Sequence, residues 1–592
     1  MFRILKYLKP FIAAVVAIFV LMAIQVYCNL QLPDLMAKIV DQGIVPDNRH
    51  MIWTTGLTMI IITLIGGVSA IIVGYFAART ATGFAKNIRN LVFKKVESFS
   101  KAELDHFSTA SLITRSTNDI QQIQLVMVLL FTLVLMAPMM GFGAIIKAIH
   151  LAPSMSWIIA EAVTAVIVTV GTFFVFTLPR YRRLQKLVDK LNLVTRENLT
   201  GLRVIRAFNR EDYEENKFEQ TNQELTRINL FINRLQSALM PVMLLIFNFT
   251  SILIIWIGAH YVNTNHLQIG SVIAFMQYAI QVILSFLMIT FIFILLPRAA
   301  VSAGRVIEVL DTDPVIKDPT EPKQLADNNR VSVEFRDVSF SYAGADEDVL
   351  SNISFTAQPG EVTAIVGSTG SGKSTLINLI PRFYDATKGQ ILVNGIDVRD
   401  LSLTDLHELI GYISQRSVIF SGTIASNISY GTEQASDDVI REAARVAQAE
   451  NFIHKLEHSY ESPIAQEGAN VSGGQKQRLS IARALVKQPP IYLFDDSFSA
   501  LDFTTDAALR RALAPKTKNA TVIIVAQRIS TVINAQKIVV LDQGRIVGVG
   551  DHRELMRSCE VYQEIASSQL SPDELRHALT SPQHLKPKEG IA

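Results

Sequence analysis

Cysteine is nearly absent from this sequence: Cys28 and Cys559 are the only two. Two distant thiols exclude a disulfide framework and a cysteine-rich zinc site, and leave both as inert side chains. Charge is also scarce. Asp, Glu, Lys and Arg make up 18% of the 592 residues, against about 25% in a typical soluble protein. Hydrophobic residues reach 49% and mean hydropathy is +0.29. A disordered chain is thereby excluded, and an all-soluble one is disfavoured. Neither sign of charge dominates, with 55 basic against 53 acidic residues. No global excess points to nucleic acid. There is no internal repeat. At roughly 100–200 residues per domain, the length calls for several domains.

What is present falls into two unlike halves. Six runs in residues 1–300 have the roughly 20 mostly apolar residues that a membrane helix needs: 11–31, 52–76, 125–149, 154–178, 239–262 and 270–296. The first is too long for the apolar part of a signal peptide. Gln25, Tyr27, Cys28 and Asn29 make no small-residue cleavage site, so it reads as a span. Connections after spans one, three and five are short. Those after spans two and four are long, polar and basic, with Arg79, Lys86, Arg89 and Lys94 in one and Arg180, Arg183, Arg203 and Arg206 in the other. The positive-inside rule makes these loops cytoplasmic, and Arg3, Lys6 and Lys9 put the N-terminus on the same side. Apolar residues at helical spacing predict that the loops continue the membrane helices. Their expected turning points are 105–112 (DHFSTASL) and 198–204 (NLTGLRV), where Gly201 is free to break a helix. Lys147, near the outer end of span three, is expected to anchor at the interface. Glu161, in span four, is an uncompensated carboxylate at membrane depth, a functional candidate.

The second half carries the chemistry. Residues 311–330 read as a Pro-rich polar linker, 331–570 as one domain, and 571–592 as a loose tail. Residues 331–342 alternate like a strand, and 361–366 form a short buried one. Next comes GSTGSGKST, from Gly367 through Ser368, Thr369, Gly370, Ser371, Gly372, Lys373 and Ser374 to Thr375, and then a helical run. This is a P-loop in its proper setting. Its glycines let the backbone N–H groups turn onto phosphate, Lys373 reaches the β- and γ-phosphates, and Ser374 holds Mg²⁺. A second buried strand, IYLFDD at 491–496, ends in two carboxylates. Asp495 fits the Mg²⁺-holding position, and Asp496 the position beside the attacking water. Tyr342 ends a strand ahead of the P-loop and is placed to stack on adenine.

With these residues in view, VSGGQ at 471–475, followed by KQRLSIARAL, resembles the signature motif of ATP-binding cassette (ABC) transporters. Gln415 in YISQ is similar to their Q-loop glutamine, which the resemblance places at the Mg²⁺ and catalytic position. SALD at 499–502, ending in Asp502, is similar to the D-loop, and Gly468 in AQEGAN to the exporter loop before the signature. The motifs follow the family's order, and six spans with two long cytoplasmic loops match its exporter half-transporters. The resemblance implies a six-helix membrane domain of ABC exporter type over 1–310, fused to an α/β P-loop nucleotide-binding domain, with ATP and Mg²⁺ as ligands. It also implies coupling helices at 105–112 and 198–204. Ser472, Gly473, Gly474 and Gln475 open a helix with bare N–H groups and a hydroxyl, a second anion site. In the family that loop caps the ATP held by the other chain of a head-to-tail pair.

Two positions depart from the family pattern. Asp496 stands where the family has Glu, and Gln527, in IIVAQRIST, stands where it has His. Aspartate draws the carboxylate back by roughly an ångström, a displacement that costs on the order of 100-fold in rate. Glutamine forms hydrogen bonds but cannot carry histidine's proton. The expectation is a site that binds ATP and hydrolyses it slowly, as in the degenerate-site subunit of heterodimeric multidrug exporters. The partner is then a second half-transporter with Glu and His at these positions. The expected substrate is small and amphipathic, taken from the lipid membrane and met by Glu161, Phe275 and Phe286, with Phe291 and Phe293 nearby. Alternatives are a lipid or peptide exporter, or an ATP-gated regulatory subunit. No domain precedes span one, which argues mildly against a peptide exporter that processes its cargo. The expected location is a bacterial plasma membrane with both termini cytoplasmic.

Overall fold

The structure, a computed structural model, describes residues 2–264, 266–325, 330–432 and 435–570. The expected tail at 571–592, and 326–329 of the expected linker, lie outside them. Contacts divide the chain into two compact units, one of residues up to 97 with 108–312, the other of 98–107 with 313 onward.

The first unit is helical. Among the described residues six helices are long and apolar enough to cross a membrane: Arg3–Ile44, Arg49–Glu97, Thr109–Leu151, Pro153–Ala207, Glu211–Asn263 and Ile269–Ile289. The last continues as helix to Asp311. Large apolar side chains stand on the outer surface, among them Trp53 at 79%, Trp256 at 75% and Ile71 at 74% exposure. Such a surface suits lipid rather than water. The first and third spans approach closely at Gly143, where an added methyl would lie 2.3 Å from Leu30, the small-residue contact expected between membrane helices.

The long basic loops are indeed helix. The helix Ser156–Ala207 has 52 residues and Glu211–Asn263 has 53. At 1.5 Å per residue each is about 78 Å long, more than twice a bilayer's hydrocarbon core. The turn expected at 198–204 is not there. The helix runs through Gly201, and the chain reverses at 208–210, where Asn209 has φ 50°. One glycine costs a helix only about 1 kcal/mol, which the bonded turns on either side absorb, whereas asparagine accepts the left-handed conformation that a reversal needs. The other turn falls inside 105–112. The helix Lys101–Phe107 ends at Ser108, φ 59°, whose hydroxyl caps the next helix at Ser111 N–H.

Lys147 does more than anchor. Its ammonium lies 2.7 Å from Asp34, whose other carboxylate oxygen accepts the Tyr278 hydroxyl at 2.7 Å. Pairing across helices removes the cost of either charge standing alone at this depth. Asp34 directly follows Pro33 in the first span, and no spacing in the sequence links it to Lys147.

The second unit is built on a six-stranded sheet in the spatial order Arg545–Gly550, Lys537–Asp542, Val362–Gly367, Thr521–Val525, Ile491–Asp495 and Ile410–Ile413. All neighbours pair in parallel except the first two. Ile491–Asp495 and Thr521–Val525 are buried at every position, as expected of strands covered on both faces. An antiparallel sheet of Leu350–Ala357, Val333–Phe340, Lys388–Val393 and Ile396–Asp397 accompanies it. Val525 follows Ile524 and pairs with both Ile365 and Asp495. That register brings the ends of two parallel strands, and the loops leaving them, to one edge. Open parallel sheets bind ligands at this edge.

Candidate functional site

The P-loop leaves its strand at Gly367 and enters the helix Lys373–Leu379. Gly370 and Gly372 have φ 84° and 93°, a conformation in which L side chains are strained. At Gly372 a methyl would also lie 2.7 Å from Leu350. Lys373 is buried inside the curl. Its ammonium donates to the carbonyls of Gly367 at 2.9 Å and Ser368 at 2.7 Å. Burial holds its pKa below the usual lysine range, against the opposing pull of Asp496 and Asp495. Among the described residues no carboxylate forms an ion pair with it. A buried cation in a glycine-rich loop at a helix N-terminus is what a triphosphate requires.

Ser374 and Asp495 meet beside it, with the hydroxyl donating to the carboxylate at 2.9 Å. Burial pushes the Asp495 carboxyl above the usual range, while the Ser374 bond acts against it. One hydroxyl and one buried carboxylate converge there, the hard oxygen donors that Mg²⁺ prefers. The residues present therefore fit the ion, which would neutralise phosphate charge at this end.

Asp496 follows in the left-handed conformation, φ 47°, its N–H bonded to Val525 O at 3.0 Å. The reversal turns its side chain to a different set of partners. The Gln415 amide donates to its carboxylate at 3.3 Å, and the backbone of Gln527 bonds to it as well. Burial raises its pKa, and hydrogen bonds from Ser499, Gln415 and the Gln527 backbone partly offset the rise. The two positions that depart from the family pattern thus meet through a backbone bond. Gln527 is exposed, and its backbone carbonyl accepts from the Gln569 amide at 2.8 Å.

Tyr342 is 38% exposed. Its hydroxyl lies 3.0 Å from the Thr375 hydroxyl, and its ring meets Phe340 and Tyr384 edge-on. This fixes the ring next to the P-loop helix. Tyr384, which sequence reasoning missed, also donates to Asp105 at 3.1 Å. No motif marks it, and only the fold brings it beside Tyr342.

The signature loop stands apart. Ser472 caps the helix Gly473–Lys487 through a reciprocal pair with Gln475, whose side chain accepts the Ser472 N–H at 2.8 Å. Asp502 caps the helix Phe503–Lys516, accepting from Thr505 N–H at 3.0 Å and from the Thr504 hydroxyl. Among the described residues no hydrogen bond joins Ser472–Gln475 to the P-loop. The structure therefore assembles Tyr342, the P-loop, Gln415, Asp495, Asp496 and Gln527, and leaves the signature outside. Of the membrane candidates, Glu161 is exposed and makes no ion pair among the described residues. Phe275 is fully buried. Phe286 packs against Ala162, Val166, Met243 and Ile283. The side chains of Phe291 and Phe293 lie outside the described residues.

Fold and site together define a P-loop nucleotide-binding domain fused to a six-helix membrane domain. Residues 11–286 match the ABC transporter transmembrane region and 350–499 the ABC transporter domain. An uncharacterized ABC transporter ATP-binding protein of Mycobacterium tuberculosis is 40% identical over 95% of this chain and 97% of its own length. An ATP-dependent lipid A-core flippase of Syntrophus aciditrophicus is 32% identical over 97% and 95%. The solved structure of a bacterial Atm1-family ABC exporter with ATP bound superposes with a TM-score of 0.78, at 25% identity, over 95% of this chain and 99% of that one. The chain belongs to the ABC transporters, as an exporter half-transporter. It is an ATP-hydrolysing membrane protein, and its ABC domain implies ATP binding, normally with Mg²⁺.

Proposed function

We propose that this chain is one half of a heterodimeric ATP-driven exporter, holds ATP at its own site with slow turnover, and lends its signature loop to the faster site of its partner. The carrying observation is the Asp496 carboxylate, one methylene short, buried, and already engaged by Gln415 and the Gln527 backbone. A water-positioning base must reach the γ-phosphate, and this one is drawn back. The intact Lys373, Ser374, Asp495 and Tyr342 support ATP binding, and the separate signature loop supports service to another chain.

The cargo is an amphipathic, drug-like compound, with Glu161 favouring cationic members of the class. A lipid is the second reading, favoured by the relatives named as lipid A-core flippases. The proposed location is a bacterial plasma membrane, and the basic residues of the helical extensions support a cytoplasmic side for them and for both termini.

The test is co-purification with the partner, then steady-state ATPase assays. Asp496→Asn here should leave most activity, while Glu→Gln at the matching position of the partner should remove nearly all of it. Equal losses would make Asp496 a true catalytic base and end the asymmetric reading. ATP-dependent dye uptake into inverted vesicles separates a pump from a regulatory subunit.

A further inference from the structure

Ahead of the first span, residues 2–11 form a short helical segment that is seated on the second span's helix, Arg49–Glu97. Ile4 is fully buried. Phe11 rests on Gly83, where an added methyl would lie 2.8 Å from its ring and would have to displace it. The seated segment and the helix enclose an open cavity of about 470 Å³. Lys6, Lys9 and Lys94 line it, with Asn87, Asn90 and Leu91. Lys6 lies 4.9 Å from the centre of the Tyr7 ring. None of the three lysines forms an ion pair among the described residues, and no carboxylate lines the cavity.

Three unneutralised ammonium groups and two amides converge on one concavity. Such a site selects a phosphate-bearing anion. The surroundings select which one. Phe11 and Ile12 open the apolar first span directly after Lys9 and Pro10, and Ile12 and Val16 are each 56% exposed. Leu91, 38% exposed, adds an apolar wall to the cavity itself. A ligand with a phosphate head and an apolar tail meets cations and apolar surface together, whereas free phosphate meets only the cations. Basic pockets at the base of membrane helices hold anionic lipid heads in this way.

We propose that Lys6, Lys9 and Lys94 form a headgroup site for an anionic phospholipid, pinning the N-terminal segment to the second span's helix. The full chain, purified with its partner, is placed in nanodiscs or mild detergent. It is then titrated with phosphatidylglycerol, phosphatidylcholine or inorganic phosphate, with retained lipid counted by native mass spectrometry. Phosphatidylglycerol should be retained over phosphatidylcholine. Lys6→Gln/Lys9→Gln/Lys94→Gln should weaken that retention on the order of 100-fold, at roughly fivefold per lysine. The arginine triple variant should restore it, and ATP binding at Lys373 should be unchanged in both, which shows that the chain is folded. Equal retention of the two lipids, or no loss in the glutamine variant, would overturn the proposal. Displacement of the lipid by millimolar inorganic phosphate would overturn the lipid assignment in favour of a soluble anion.

Discussion

At one end of the nucleotide site, buried Lys373 bonds to the carbonyls of Gly367 and Ser368, and half-buried Ser374 bonds to buried Asp495, around the place for phosphate and Mg²⁺. At the other, Asp496 is drawn toward Gln415 and the Gln527 backbone, and no histidine stands at 527. The two aspartates are adjacent in sequence, yet with a left-handed backbone at Asp496 they meet different partners, Ser374 and Gln415. On the proposed reading, binding and hydrolysis rest on separable sets of side chains. A site can keep the first while losing much of the second, because affinity comes from charge and N–H groups spread over a loop, whereas rate hangs on the placement of one carboxylate.

The largest expected effect comes from rebuilding the weak end. Asp496→Glu with Gln527→His should raise turnover at this chain's own site on the order of 100-fold, measured with the partner's site inactivated. Unchanged turnover would mean that the two ends are not separable in this way. At the strong end, Tyr342→Ala should weaken ATP binding by about 1–3 kcal/mol, while Tyr342→Phe should be mild. An unaltered affinity would reassign the ring to packing against Phe340 and Tyr384.

Acidification divides the two aspartates more finely. Burial raises the Asp495 carboxyl, so as pH falls it takes up its proton at a higher pH than an ordinary aspartate near 3.9. Its ionised form is the one that would hold Mg²⁺. The Mg²⁺-dependent part of ATP affinity should therefore be lost early on acidification. Asp495→Asn should abolish that part at every pH, and Asp496→Asn should preserve it. A fluorescent nucleotide titrated with and without Mg²⁺ reads this directly.

In the membrane unit, Glu161→Gln should lower efflux of cationic dyes several-fold and leave neutral ones unchanged, roughly the effect of one lost ion pair. Equal efflux of both classes by variant and parent would remove Glu161 from recognition. The smallest change is expected from Asp496→Asn in the assembled pump, less than about twofold in steady-state ATPase, since on the proposed asymmetric reading this chain's site adds little to the total.

Much of this was legible in the chain. Long apolar runs have one stable solution in a bilayer, so the six spans followed from length alone. The P-loop and the strand-end aspartates are contiguous motifs whose chemistry depends on local backbone, and they read directly. Gly201 misled because glycine permits a break without requiring one, and the surrounding helix held. Three features came only from tertiary structure. Asp34 meets Lys147 across two helices, Tyr384 is set against Tyr342, and Lys94 joins Lys6 and Lys9 around one cavity. Each joins residues far apart in the chain whose types alone announce nothing. Local pattern determined the elements and the phosphate loop, because hydrogen bonding and apolar burial act over a few residues. Which charge finds which partner was decided by packing, because an unpaired charge in an apolar medium is costly enough to be satisfied by whatever the fold brings within reach.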